Sequence, residues 1–139
     1  MTQINAYLTF GGNCREAMTF YKECLGGDLT MQAVGETPAA SEMPPEAKDS
    51  IMHATLQKDS LVLMASDKMS PMELKQGNTI TLSLNCSSEE EIKTFFSNLS
   101  SDGQVTMPLA DQFWGATFGM LTDKFGMNWM LNYHKNPKQ

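Results

Sequence analysis

The segment NCREAMTFYKECLGGD, residues 13–28, has a counterpart in SSEEEIKTFFSNLSSDG, residues 87–103. Each segment repeats apolar residues at i, i+3, i+4 and i+7, the period of a helix with one apolar stripe. The stripes consist of Ala17, Phe20, Tyr21, Cys24 and Leu25 in the first segment and Ile92, Phe95, Phe96 and Leu99 in the second. The chain is therefore predicted to contain an internal repeat, with a spacing of about 75 residues.

Strand-like segments surround both predicted helices in the same order. Alternating apolar and polar residues predict one strand before each helix, at 4–10 and 79–85. Three further strands are predicted after each helix, at 28–34, 51–57 and 61–66 in the first half and at 105–109, 115–122 and 127–133 in the second. The sequence thus predicts an α+β fold in one domain, with two β-α-β-β-β modules, 1–68 and 77–135, joined by a linker at 69–76. Curled mixed sheets from the two modules are expected to form a shared cup for a small ligand.

Helix ends are also marked in the sequence. Asn13 with Glu16, and Ser88 with Glu91, have the spacing of a capping box at the start of each helix. Gly26-Gly27 and Asp102-Gly103 are typical of helix ends.

Composition restricts the possible partners. The net charge is −6, and the chain has one arginine, Arg15, with lysines spread along its length, so no basic face is expected for nucleic acid or a membrane surface. No apolar run approaches a membrane span and no leader is recognised, which predicts a soluble, cytoplasmic protein. The three cysteines lack metal-binding spacing, and Cys24 lies on the first helix stripe as a small core residue.

Residues 35–50 contain Pro38, Pro44 and Pro45 and are predicted to form a long loop. A loop of this length is either a lid or partner contact, or a plain excursion from the fold.

Several segments resemble a known superfamily. FYKECLGG at 20–27 and DKFGMNWMLN at 123–132 are similar to the vicinal oxygen chelate superfamily, which includes glyoxalase I, fosfomycin-resistance and bleomycin-resistance proteins and extradiol dioxygenases. Residues 107–132, 7–28 and 51–67 resemble its PhnB-like branch, whose members are often labelled 3-demethylubiquinone methyltransferase-like. The resemblance extends from about residue 4 to residue 133. It implies the two-module fold with a cup.

The resemblance also implies positions for metal ligands on the first and last strands of each module. Enzymes of the superfamily usually carry histidine or glutamate there. The corresponding residues in this chain are Asn5 or Ala6, Met64 or Ser66, Thr79 or Thr81, and Met130. Since none is a histidine or a carboxylate, we expect no metal at this site and no cofactor.

Strand alternation predicts which side chains face the cup. His53 and Tyr7 are candidate catalytic residues, because an imidazole and a phenol can both transfer protons. A hydrogen-bonded strand histidine is the alternative interpretation of His53. The predicted ligand-binding residues are Thr9, Met64, Ser66, Thr81, Ser83, Phe113, Trp114, Phe118, Met130 and Asn132. A methionine-rich lining suits varied apolar ligands, although most of the twelve methionines are better explained as core filler.

Asp111 lies beside an aromatic cluster formed by Phe113, Trp114 and Phe118. A carboxylate against aromatic surface can have a raised pKa and act in proton transfer, so Asp111 is the third catalytic candidate; a surface turn aspartate is the alternative. The cluster itself is either a pocket wall or packing in the core and a dimer interface.

These observations predict a small-molecule-binding protein of unassigned reaction that acts as a homodimer. A metal-independent enzyme is the first alternative. The second is a metal-dependent lyase or isomerase, with ligands recruited from residues 36–50 or from a second subunit. No glycine-rich loop for S-adenosylmethionine is recognised, since Gly11-Gly12 alone is a turn.

Overall fold

The first compact unit of the computed structural model ends at Lys75 and the second begins at Gln76. The structure describes residues 2–68 and 73–135, without the side chain of Ala39, so the first half of the predicted linker lies outside the described residues. Within the described ranges there are eight strands and two α-helices. The first unit contains β1 (Ala6–Phe10), α1 (Cys14–Leu25), β2 (Asp28–Ala33), β3 (Ile51–Lys58) and β4 (Leu61–Asp67). The second contains β5 (Leu82–Asn85), α2 (Glu89–Leu99), β6 (Gln104–Asp111), β7 (Ala116–Thr122) and β8 (Asn128–His134).

The two sheets have the same topology. Their strand orders are β1-β4-β3-β2 and β5-β8-β7-β6, with a parallel first pair and antiparallel neighbours elsewhere. Each unit is therefore one β-α-β-β-β module, and the predicted α+β fold with two modules is confirmed. The cup between the modules stays a prediction.

Each helix buries its apolar stripe against its own sheet. α1 packs on β2, β3 and β4, and α2 packs on β7 and β8. Tyr21 is fully buried and Phe96 nearly so, while Phe20 and Phe95, which precede them on the two helices, are only partly buried. Met18, which the predicted stripe did not include, is fully buried.

The helix ends differ between the modules. Ser88 caps α2 as predicted, since its Oγ accepts a hydrogen bond from the Glu91 backbone N–H at 3.0 Å. Asn13 makes no side-chain cap, so that prediction is wrong. The carboxylate of Asp67 replaces it, because Asp67 Oδ1 accepts from Cys14 N at 2.9 Å and from Gly12 N at 3.0 Å.

The glycine after each helix allows the chain to pass close to a neighbouring strand. A Cβ on Gly27 would lie 2.8 Å from the carbonyl oxygen of Gln57 on β3, and its φ is +96°. A Cβ on Gly103 would likewise collide with the backbone of Thr122 at the end of β7. The repeat thus extends to the turn that follows each helix.

Three predicted boundaries need correction. β1 and β5 begin at Ala6 and Leu82, two and three residues later than predicted, and β6 extends to Asp111. Residues 34–47 are not a plain loop, since they contain three short 3₁₀ helices at Val34–Glu36, Pro38–Glu42 and Pro45–Ala47. Thr37 Oγ1 donates to Val34 O at 2.8 Å, and Glu36 Oε1 accepts from Ala33 N at 2.8 Å, which stabilises the first of these turns.

Candidate functional site

The first sheet has one face under α1 and one face opposite it, which we call its open face. Cross-strand pairing places Tyr7 on β1 opposite Met64 on β4, and Met64 opposite Thr55 on β3. Thr9 pairs with Ser66 one step further along the same two strands. Directly paired residues share a face. Tyr7, Thr9, Met64 and Ser66 therefore lie on the open face, and their contact with a ligand stays a prediction.

His53 forms the centre of a polar cluster on this open face. Its Nδ1 lies 3.5 Å from the phenolic oxygen of Tyr7, and its Nε2 lies 3.1 Å from Thr55 Oγ1. The Tyr7 ring reaches across β4, so that the two ring centroids are 6.0 Å apart. Tyr7 and His53 are exposed, and Thr55 is half-buried. Two of the predicted catalytic residues, Tyr7 and His53, are thus brought together.

Thr55 is the member of this cluster that the sequence-based list of site residues omitted. Its position two residues after His53 placed it on the same face, but a threonine at a strand position carries no chemical signal of its own. The 3.1 Å contact with Nε2 gives both ring nitrogens of His53 a hydroxyl partner.

The second sheet also has an open face, opposite α2. Three methionines form one row across it, since Met107 pairs with Met120 and Met120 pairs with Met130. Ser83 pairs with Met130, and the next row joins Asn85, Asn132 and Phe118. The predicted residues Ser83, Met130, Asn132 and Phe118 therefore share one face. Thr81 precedes β5 and is partly buried.

An exposed aromatic turn connects β6 and β7. Gln112 N donates to Ala116 O at 2.7 Å, and Gly115 has a φ of +89°, which closes the turn. At its tip Phe113 is 97% exposed. Its ring stands edge-on to that of Trp114, with the two ring centroids 5.0 Å apart. The centroids of the Trp114 and Phe118 rings are 6.2 Å apart. The core-packing alternative therefore does not hold for Phe113.

Asp111 stands in an environment that opposes the predicted raised pKa. Lys135 Nζ lies 2.8 Å from its Oδ2, and Thr117 Oγ1 donates to its Oδ1 at 3.0 Å. The Lys135 hydrogen bond, and then that from Thr117, lower the pKa of Asp111 below 3.8. The raised pKa was wrong because the partner lysine, 24 residues away in sequence, was not foreseen. Asp111 as a catalytic residue stays a prediction.

The donor set does not fit a divalent metal. Within residues 2–68 and 73–135 there is no group of three or more histidine, cysteine, aspartate or glutamate side chains that could hold a metal ion. On the open face of the first sheet, His53 is surrounded by hydroxyl groups of Tyr7 and Thr55, which bind zinc or nickel poorly.

Two cysteines are unsuited to nucleophilic chemistry. Burial, and then the negative charge of Asp67, raise the pKa of Cys14 to about 12. Burial, followed by the charge of Glu91, raises the pKa of Cys86 to about 12. A nucleophilic cysteine needs a lowered pKa, because the thiolate is the reactive form.

A family model described as 3-demethylubiquinone-9 3-methyltransferase matches residues 2–132 of the chain. The chain belongs to this family. Protein YjdN of Escherichia coli (strain K12) is 34% identical over 146 aligned residues, which cover 95% of both chains. The crystal structure of protein PA1353 from Pseudomonas aeruginosa has a TM-score of 0.85 at 43% identity, covering 96% of this chain and 98% of that one.

A second solved structure supports the PhnB-like assignment. The putative 3-demethylubiquinone-9 3-methyltransferase, PhnB protein, from Bacillus cereus has a TM-score of 0.74 at 28% identity, covering 95% of this chain and 99% of that one. A glyoxalase-related enzyme from Fulvimarina pelagi shares the fold, with a TM-score of 0.60 at 19% identity over 99% of this chain and 90% of that one. The predicted PhnB-like family is confirmed, and the glyoxalase-related enzyme shares the predicted fold.

The helices of the described residues include none that is both long and apolar enough to cross a membrane.

Proposed function

We propose that this family member binds a small, moderately apolar organic molecule on the open face of its first sheet, with the polar end of the ligand at His53. The observation that carries the proposal is the contact of both His53 ring nitrogens with hydroxyl groups, at 3.5 Å from Tyr7 and 3.1 Å from Thr55. Such a cluster orients the imidazole ring, and the His53 and Tyr7 side chains remain exposed.

The surroundings of the cluster support a ligand with an apolar part. Met64 lies between Tyr7 and Thr55 in the cross-strand register, so a flexible thioether adjoins the polar groups. A methionine side chain adapts to ligands of different shape. The ligand contacts predicted in the second module, at Thr81, Ser83, Phe113, Trp114, Phe118, Met130 and Asn132, remain predictions.

The proposed binding uses no metal and no methyl-group donor. No metal is expected because, in the part of the chain that the structure describes, His53 has only hydroxyl groups as neighbouring donors on the open face. Methyl transfer, which the family description names, is not part of the proposal, and the turn at Gly11-Gly12 is committed to the fold. Its Gly12 N–H is bound by the Asp67 carboxylate at 3.0 Å, so this amide is not available to hold a cofactor.

A second candidate function is metal-independent proton transfer. In this alternative His53 accepts a proton from a ligand carbon or oxygen and returns it to another atom of the same molecule. The Tyr7 contact favours this, because a phenol beside an imidazole can relay the proton.

Thermal unfolding in the presence of a library of small organic acids, amides and alcohols tests the proposal. The matched control uses the chain's other histidine, so that wild type, His53→Gln and His134→Gln are compared. We expect some compounds to raise the unfolding midpoint of wild type and of His134→Gln but not of His53→Gln. Saturation at about 100 Kd stabilises a protein by about 2.7 kcal/mol, which is readily measured as a shift of the midpoint.

Compounds that stabilise wild type and His53→Gln equally would show that the ligand binds elsewhere. Deuterium exchange into a stabilising compound in D₂O, catalysed by wild type but not by His53→Gln, would favour the enzymatic alternative. The homodimer and the cytoplasmic location remain predictions.

A further inference from the structure

We propose that the polar group recognised at His53 is a single carboxylate, and that it binds together with the uptake of one proton by the imidazole. This inference rests on the proposed function and specifies its ligand class. It follows from the positions of Tyr7 and Thr55 on the two sides of the ring, and from the scarcity of other charges on the open face.

The hydrogen-bond inventory of the cluster depends on its protonation state. A neutral imidazole has one donor and one acceptor nitrogen, so one of the two hydroxyl groups must direct its hydrogen toward the ring. A protonated imidazole donates from both nitrogens, one to the Tyr7 oxygen and one to Thr55 Oγ1, which lie 3.5 and 3.1 Å away. Both hydroxyl hydrogens then turn away from the ring. The protonated cluster therefore presents two O–H donors beside one positive charge.

A carboxylate matches this arrangement. It has two acceptor oxygens and one negative charge, and hydrogen bonds to a charged acceptor are stronger than those between neutral groups. A dianionic phosphate would leave one negative charge uncompensated in a chain whose net charge is already −6. The lone arginine, Arg15, is on α1 and therefore on the covered side of the sheet, where it cannot assist at the open face.

The open-face residues beside His53 on the neighbouring strands are uncharged. Gln32 on β2 pairs with His53, and Thr30 pairs with Thr55, while β4 contributes Met64 and Ser66. Asp28 is the acidic residue on the open face of β2, but it pairs with Gln57, at the far end of β3 from His53. Glu36, which follows β2, is engaged by the Ala33 backbone N–H at 2.8 Å.

The lysine on the same strand points away from the cluster. Lys58 Nζ donates to the Leu25 carbonyl at 3.1 Å, at the end of α1. Tyr7 is the other titratable group in the cluster, and its phenolic oxygen faces His53 Nδ1 at 3.5 Å. The protonated imidazole is thus the charge that a bound anion would neutralise.

Coupling to one proton has a measurable consequence. Histidine side chains gain a proton between about pH 8 and pH 5, whereas a carboxylic acid remains ionised above about pH 5. Where the free histidine is mostly neutral, carboxylate affinity should rise about tenfold for each unit by which the pH falls.

The test uses benzoate as the probe and benzamide as its neutral isostere. With two histidines in the chain, the ring signals of His53 and His134 can be followed separately by NMR through a pH titration. We expect benzoate to shift the His53 titration to higher pH and to leave His134 unchanged, while benzamide shifts neither. Tyr7→Phe and Thr55→Val, which keep the size of the side chains, should each weaken benzoate binding roughly tenfold, the usual effect of losing a hydrogen bond to a charged group.

Three results would overturn the inference: benzamide binding as well as benzoate, benzoate binding that does not change with pH, and no benzoate binding at millimolar concentration. In each of these cases the proposed function still stands if neutral compounds stabilise the protein in a His53-dependent manner. If no compound acts through His53, both the inference and the proposed function are wrong. Circular dichroism of each variant establishes that it is folded before its binding is compared.

Discussion

Asp67 Oδ2 lies 2.8 Å from the backbone nitrogen of Ile51, while Oδ1 of the same carboxylate binds Gly12 N and Cys14 N. One nearly buried side chain thus joins the end of β4 to the start of β3 and to the start of α1. The carboxylate satisfies three backbone donors, and two of them, Cys14 N and Ile51 N, are buried in the module.

We expect Asp67→Ala to destabilise the protein by at least about 2 kcal/mol, because it leaves two buried donors unsatisfied and each costs roughly 1–3 kcal/mol. Asp28→Asn, at an exposed strand position, is the control and should change stability by less than about 0.5 kcal/mol. Urea unfolding measures both. Equal stability of the two variants would show that water replaces the carboxylate.

The two helices provide a matched pair of core tests. Phe96→Ala should cost about 3–5 kcal/mol, the usual effect of truncating a buried phenylalanine. Phe95→Ala, one residue earlier and only partly buried, should cost less, roughly 1–2 kcal/mol, since part of its ring already contacts water. In α1, Tyr21→Ala should likewise destabilise the protein more than Phe20→Ala. Chemical denaturation measures all four, and a larger loss at Phe95 than at Phe96 would contradict the assigned buried face.

Asp111 should titrate below its ordinary value of 3.8, because Lys135 and Thr117 hydrogen-bond its charged form. A pKa that is lower in the folded state than in the unfolded state contributes stability above the unfolded value, and that contribution is lost as the pH falls through the folded value. Carboxyl NMR titration measures the effect directly. Lys135→Gln should move the Asp111 titration upward, and a titration that does not respond would show that Lys135 is not its partner in solution.

Cys14 and Cys86 should resist alkylation in the folded protein. The rise of the thiol pKa from 9.0 to about 12 lowers the thiolate fraction at pH 8 by about a thousandfold at each residue. Mass spectrometry after brief iodoacetamide treatment checks this, with denatured protein as the control, in which all three cysteines should react. Rapid labelling of native Cys14 would contradict its burial.

We expect the protein to be a homodimer, since isologous pairing is the commonest way to cover apolar surface and sheet edges. Phe113 is 97% exposed, and Ile4 and Ile80, which precede the edge strands β1 and β5, are 98% and 77% exposed. Light scattering at micromolar concentration should give twice the chain mass of 15.4 kDa. Phe113→Ser should weaken the dimer, whereas Thr94→Ser, at an exposed position on α2, should not. A monomeric wild type would refute the prediction.

Local periodicity was sufficient to predict the elements of the fold. The helix stripe from Ala17 to Leu25 and the alternation along β1, β4 and β8 depend on residues close in sequence, and the structure contains this helix and these strands, with strand ends shifted by up to two residues. The Ser88 cap is equally local, because donor and acceptor are three residues apart. The Asn13 cap failed because a carboxylate more than 50 residues away took its place.

Strand periodicity also predicted which face carries His53, Tyr7, Thr9, Met64 and Ser66, since alternate residues of a strand share a face. The contact between Tyr7 and His53, and that between Asp111 and Lys135, depended instead on the tertiary structure. The first requires β4 to lie between β1 and β3, and the second requires the end of β8 to lie near the end of β6. Periodicity within one segment does not determine the register between strands that are far apart in sequence. The partners of Tyr7 and Asp111, and with them the direction of the Asp111 pKa shift, therefore depend on the tertiary structure.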